Sequence, residues 1–140
     1  MSDTRSLIRS KVKQALASSS TTLDDRRAAE QGLLPLFDDL AYRYYLRDDG
    51  SVFIIDALEP EAGLQEMTDA TWRLVVLRAA VAEESGLASL IPAHPPGTVE
   101  CSECAGTGRR PVVAISGTRT TGVCLNCRGT GWIGVPKAAV

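Results

Sequence analysis

Cysteine is missing from the first 100 residues of this 140-residue chain, and all four copies fall between positions 101 and 127. Long apolar runs are missing too. No stretch of 18 apolar residues occurs, which excludes a conventional transmembrane helix. The opening residues, Met1-Ser-Asp-Thr-Arg-Ser-Leu-Ile-Arg-Ser10, lack the apolar core of a secretory signal, so a cytoplasmic location is expected. Thiols stay reduced there, and closely spaced cysteines read as metal ligands rather than disulfides. Aromatic residues make up only 5%, and there is one histidine, His94, set among prolines where an idle, exposed ring is expected. Nucleophilic or acid–base schemes that need histidine would rest on it alone. Phosphate loops are absent as well, because Gly106-Thr-Gly108 and Gly129-Thr-Gly131 lack the lysine that follows in such loops.

What is present describes a globular protein: 44% hydrophobic, 23% charged and near-zero mean hydropathy. The net charge of −2 hides an asymmetry. Residues 1–96 carry ten Lys/Arg against fifteen Asp/Glu, whereas residues 97–140 carry five cations against Glu100 and Glu103 alone. Between the halves lies Ile91-Pro-Ala-His-Pro-Pro-Gly97, whose prolines disfavour helix and stiffen the backbone. The expected organisation is an α+β domain over 1–91, a proline-rich linker over 92–97, a cysteine module over 98–135 and a tail over 136–140.

In the N-terminal half, Leu7, Ile8, Val12, Ala15 and Leu16 share a face and predict a helix from about Ser6 to Ala17. The polar run Ser18–Thr22 offers an N-cap for a second helix near Asp24. Leu33 to Leu40 reads as a short helix. Ala41-Tyr-Arg-Tyr-Tyr-Leu-Arg47 and Ser51-Val-Phe-Ile-Ile-Asp56, joined through Asp48-Asp-Gly50, read as a β-hairpin. Thr68 opens a strongly apolar helix running to about Ser85, ended by Gly86 and expected to pack on the hairpin's inner face. The acid pairs Asp24-Asp25, Asp38-Asp39, Asp48-Asp49 and Glu83-Glu84 fall at caps, turns or solvated faces, so they do not argue for a carboxylate enzyme.

The specific signal is a repeat. Cys101-Ser-Glu-Cys104-Ala-Gly106-Thr-Gly108 and Cys124-Leu-Asn-Cys127-Arg-Gly129-Thr-Gly131 both read C-x-x-C-x-G-T-G. Nineteen residues separate Cys104 from Cys124, within the spacing of tetrathiolate zinc sites. Two-residue gaps let tight turns aim pairs of sulfurs at one ion, and the glycines Gly106, Gly108, Gly129 and Gly131 let the chain swing away from it. One structural Zn²⁺ on Cys101, Cys104, Cys124 and Cys127 is expected. Four protein ligands leave no open position for a substrate, so a catalytic zinc is not expected. Between the knuckles, Arg110–Ser116 and Arg119–Cys124 around a Gly117-Thr118 tip read as a second hairpin. The overall expectation is an α+β fold, a small helix and β-hairpin domain followed by a zinc-stabilised β-hairpin module.

The repeat resembles the cysteine-rich, DnaJ-type zinc finger. The resemblance covers residues 101–131. That family's central domain holds two zincs on four repeats, so two repeats here imply one zinc. A J domain would need His-Pro-Asp, and the only His-Pro is His94-Pro95-Pro96, so action on an Hsp70 partner is not implied. Binding of unfolded or extended polypeptide is implied and, ranked well below it, thiol–disulfide activity. Pro95-Pro-Gly-Thr-Val-Glu-Cys101 and Gly131-Trp-Ile133 also resemble uncharacterised bacterial proteins that end in this finger. The functional expectation is a non-enzymatic protein with a chaperone-like or adaptor role and a protein or extended-polypeptide partner. Val112, Val113 and Ile115 are its candidate peptide-binding residues, acting by strand addition. A nucleic-acid-associated zinc protein is the second reading, from Arg109, Arg110, Arg119 and Arg128. No membrane partner is expected.

Overall fold

The computed structural model describes residues 3–38, 41–113 and 115–134. The expected tail over 136–140, with residue 135, lies outside the described residues. By packing, the chain divides into two compact units, Met1–Ala70 and Thr71–Val140.

The first unit contains helices α1 (Asp3–Ala17) and α2 (Leu23–Glu30) and four strands, β1 (Leu34–Asp38), β2 (Tyr42–Leu46), β3 (Val52–Asp56) and β4 (Gln65–Glu66). The strands form one antiparallel sheet in the order β1-β2-β3-β4. Thr22 caps α2, its hydroxyl accepting from the Asp25 N–H at 3.2 Å. The Asp-Gly turn joins β2 to β3 as expected, in a register that sets Tyr45 opposite Phe53, and the Asp49 carboxylate accepts from the Ser51 N–H at 2.9 Å. Asp48-Asp49 thus serves the turn, whereas Asp24 and Asp25, in the first turn of α2, accept from Arg43 Nη1 at 3.3 Å and from the Tyr45 hydroxyl, and Asp39 lies outside the described residues.

Leu33–Leu40 differs from expectation: residues Leu34–Asp38 form a strand. Gly32, at φ +81°, ends α2, and the chain turns back so that Pro35 lies opposite Tyr45. Proline cannot donate within a helix or a central strand, but β1 is an edge strand, where a missing N–H is tolerated. Ala28, Leu33, Tyr45 and Ile55 form a buried cluster, with Phe53 and Leu64 packed against it.

Tyr45 is fully buried and donates its hydroxyl to Asp25 Oδ1 at 2.8 Å. Burial, reinforced by the Asp25 carboxylate, pushes the phenol well above its ordinary value. Because the folded value is raised, its contribution is complete below the unfolded value of about 10 and falls as pH rises beyond it. Tyr45→Phe is expected to lower stability by about 1 kcal/mol at pH 7 and to lessen the loss above pH 10. Urea unfolding at both pH values measures this.

The second unit begins with α3 (Ala70–Glu83, whose first residue belongs to the preceding unit) and a 3-10 segment, Ser85–Leu90. Gly86, expected to end α3, lies inside the 3-10 segment; the extended Glu84 interrupts the helix, and its side chain caps that segment by accepting from the Gly86 N–H at 3.2 Å. Two antiparallel pairs follow: β5 (Thr98–Glu100) with β8 (Trp132–Gly134), and β6 (Arg109–Val113) with β7 (Arg119–Val123). The strongly apolar helix belongs to the unit that carries the cysteines, and there Val75 and Arg78 lie against the knuckle glycines. Helices with antiparallel sheets make the fold α+β as expected, and the β6–β7 hairpin rises from the cysteine cluster.

Candidate metal centre

The two repeats fold into two knuckles whose turn hydrogen bonds match. In each, the glycine after the second cysteine donates its N–H to the first cysteine's carbonyl: Gly106 to Cys101 and Gly129 to Cys124, both at 3.0 Å. The threonines then close the turns. Thr107 Oγ1 donates to the Cys104 carbonyl and Thr130 Oγ1 to the Cys127 carbonyl, both at 2.8 Å. Those hydroxyls in turn accept from the Arg109 and Trp132 N–H groups, which start the outgoing strands. The repeated threonine, unexplained by ligand spacing, is the hinge from knuckle to strand. The knuckles also cross-link: Cys124 N–H donates to the Gly108 carbonyl at 3.0 Å, and Cys101 N–H to the Gly131 carbonyl at 2.8 Å.

This arrangement buries all four cysteines and brings their sulfurs within 4.8 Å of one another. Cys101 Sγ lies 4.0 Å from Cys124 Sγ, and Cys104 Sγ lies 3.7 Å from Cys127 Sγ. Both separations far exceed the ~2.05 Å of a disulfide. They fit a tetrahedral metal, for which Zn–S near ~2.3 Å sets corners ~3.8 Å apart. The donor set therefore fits one metal ion, and Ile133 packs against the cluster.

Electrostatics point the same way. Gly108 and Gly131 N–H groups donate to Cys104 and Cys127 Sγ, both at 3.2 Å, and Asn126 Nδ2 donates to Cys101 Sγ at 3.3 Å. The Asn126 amide holds the Cys101 thiol below its ordinary range, at about 6. Burial pushes the Cys127 thiol the other way, to about 11. Such a cluster cannot carry four bare thiolates, and a bound dication reverses that logic by ionising coordinating thiols outright. Glu103, the counterpart of Asn126 in the first repeat, has no donor to offer Cys124.

The residue that sequence reasoning missed is Arg78. Its Nε donates to the Thr130 carbonyl at 2.8 Å, and its guanidinium lies 5.0 Å from the Trp132 ring centroid. Burial lowers its pKa, while Cys104 and Cys127 in their charged form would support its charge. The knuckle arginines serve otherwise. Arg109 donates to Thr121 Oγ1 at 3.2 Å and to the Thr121 carbonyl at 2.9 Å, and Arg110 and Arg128 are exposed. The only sequence signal for Arg78 was a lone cation within Leu74-Val-Val-Leu-Arg-Ala-Ala-Val81. Arg78→Met keeps the stem but removes the donor and the charge, and is expected to weaken metal retention about 10-fold against a chelator. Arg78→Lys should recover only part, because an ammonium cannot reproduce the planar fork.

His94 is exposed, its ring 6.3 Å from that of Trp132, and it stands outside the ligand set. The candidate peptide-binding residues Val112, Val113 and Ile115 are 42%, 68% and 110% exposed, which leaves them free to meet another molecule. No helix among the described residues is long and apolar enough to cross a membrane. Compared with known proteins, the chain matches no protein-family model, no curated protein and no solved structure significantly.

Proposed function

We propose that the chain is a non-enzymatic binding protein whose C-terminal module is built on one structural Zn²⁺ and captures polypeptide with its β6–β7 hairpin. The carrying observation is a buried set of four sulfurs beneath a hairpin whose apolar side chains face outward. Zinc is favoured over other ions because four cysteines at tetrahedral spacing form its usual structural shell. A filled shell has no site for substrate, which supports a role other than catalysis. The C-x-x-C-x-G-T-G repeats support kinship with the DnaJ-type finger, and the reduced cytoplasm is where such a thiolate site persists. The role this supports is chaperone-like or adaptor binding. Native mass spectrometry should give one zinc per chain, and the protein should suppress aggregation of an unfolded model client. Equal aggregation with and without the protein, and no peptide binding, would sink the polypeptide reading.

A nucleic-acid role is the second reading, favoured by one observation: no acidic residue follows Glu103. Binding to random-sequence DNA or RNA that weakens steeply with salt would select it instead.

A further inference from the structure

The β6–β7 ribbon has two faces and two edges, and its register decides which are usable. Arg109 pairs with Val123, Pro111 with Thr121 and Val113 with Arg119, so these six side chains share one face. Arg110, Val112, Thr120 and Gly122 share the other. Cys124 donates to the Gly108 carbonyl, which makes 108/124 a hydrogen-bonded pair. The alternation then places Pro111 and Thr121 in a pair whose backbone groups point away from the ladder. On the β6 edge the outward position at Pro111 therefore has no N–H to offer. On the β7 edge the Thr121 carbonyl already accepts from the Arg109 guanidinium. Both are devices that blunt a strand edge against pairing.

The faces, by contrast, are open. Val113 and Val123 are 68% and 42% exposed, and Arg119 stands directly opposite Val113. Arg110, Arg119 and Arg128 are exposed, and from Cys104 to the end of the chain there is no Asp or Glu to neutralise them. An apolar surface set in charge of one sign attracts an apolar partner of the other sign and repels one of its own.

We infer that the ribbon binds, through its side-chain faces rather than its edges, extended polypeptide that combines acidic with apolar residues. This rests on the polypeptide-binding reading and names its partner class. Each face carries both parts of that surface: Val113 and Val123 share one with Arg119, and Val112 shares the other with Arg110, so an extended segment laid on either face meets exposed valine and arginine together.

The test uses the full zinc-loaded chain and fluorescein-labelled ten-residue peptides of alternating Leu-Glu, Leu-Ser and Leu-Lys, read by anisotropy. The expected result is that Leu-Glu binds at least ten-fold tighter than Leu-Lys, with Leu-Ser between them. The gap should shrink in 0.5 M salt as screening shortens the reach of the charges. Arg110→Gln with Arg119→Gln, both on exposed side chains, should bring the three peptides together while leaving zinc content unchanged. Backbone N-methylation of Leu-Glu should leave binding largely intact, and a loss of ten-fold or more would restore edge pairing and overturn the face route. Equal binding of the three peptides to the unaltered protein would overturn the acidic preference but leave polypeptide binding standing. Binding of none of them, together with no effect on an unfolded client, would overturn both. Tighter, steeply salt-dependent binding of duplex DNA would also overturn the inference in favour of a nucleic-acid partner.

Discussion

Chelation of the metal, or Cys104→Ser, is expected to unfold residues 98–134 while the sheet of the first unit persists. Few apolar side chains hold the module. Its buried hydrophobic cluster consists of the four cysteines with Ile133 packed on them, and Val99, Val112, Val113, Val123 and Leu125 are exposed. Its ladders, β5–β8 and β6–β7, are two-stranded, and isolated pairs are marginal in water. The ion must therefore supply the folding energy, on the scale of ~10–16 kcal/mol seen for zinc-finger peptides. The first unit owes the metal nothing comparable, since Ala28, Leu33, Tyr45 and Ile55 give it a core of its own. Limited proteolysis should find new cuts throughout 98–134 after chelation and protection over the first sheet. An unchanged digest and circular dichroism spectrum would show that protein packing alone holds the knuckles.

Gly131→Ala should cost about 3 kcal/mol or more of module stability, and Gly108→Ala a similar amount. Gly131 has φ +85°, and a Cβ there would strike the Gly106 carbonyl oxygen and come within 2.7 Å of the Arg78 guanidinium. At Gly108, with φ +74°, a Cβ would strike the Gly129 carbonyl oxygen. These are backbone collisions at the seam where the two knuckles interlock, and they add to the left-handed strain of about 1–2 kcal/mol. Gly117, at φ +87° with nothing within 4 Å of its would-be Cβ, is the control, and there alanine should cost only the strain. Thermal melts of the three zinc-loaded variants separate collision from strain. If Gly117→Ala is as damaging as Gly131→Ala, the interlock contributes nothing.

Much of the metal centre was legible because its information is local. Ligand spacing, the glycines and the two outgoing strands all lie within a few residues of the cysteines they serve, so turn chemistry alone points to them. The same holds for the Tyr42–Leu46 and Val52–Asp56 hairpin, where alternation and an Asp-Gly turn agree. Leu34–Asp38 was misread because its apolar run fits helix or strand equally. Pairing with β2 decides the matter, and the cue for it lies a turn further along the chain.

The order of residues alone thus specifies which four sulfurs meet, that two like knuckles carry them, and that the module's outer surface is cationic. Those properties follow from residue type and short spacing. It took folding in three dimensions to reveal that α3 belongs with the knuckles and that Arg78, 52 positions before its partner Thr130, closes onto them. The structure likewise decided that Pro111 and Arg109 guard the ribbon's two edges, because which way a backbone group points depends on register, and register exists only once strands have paired. An apolar helix records that it must be covered but not by what, since burial free energy is non-directional.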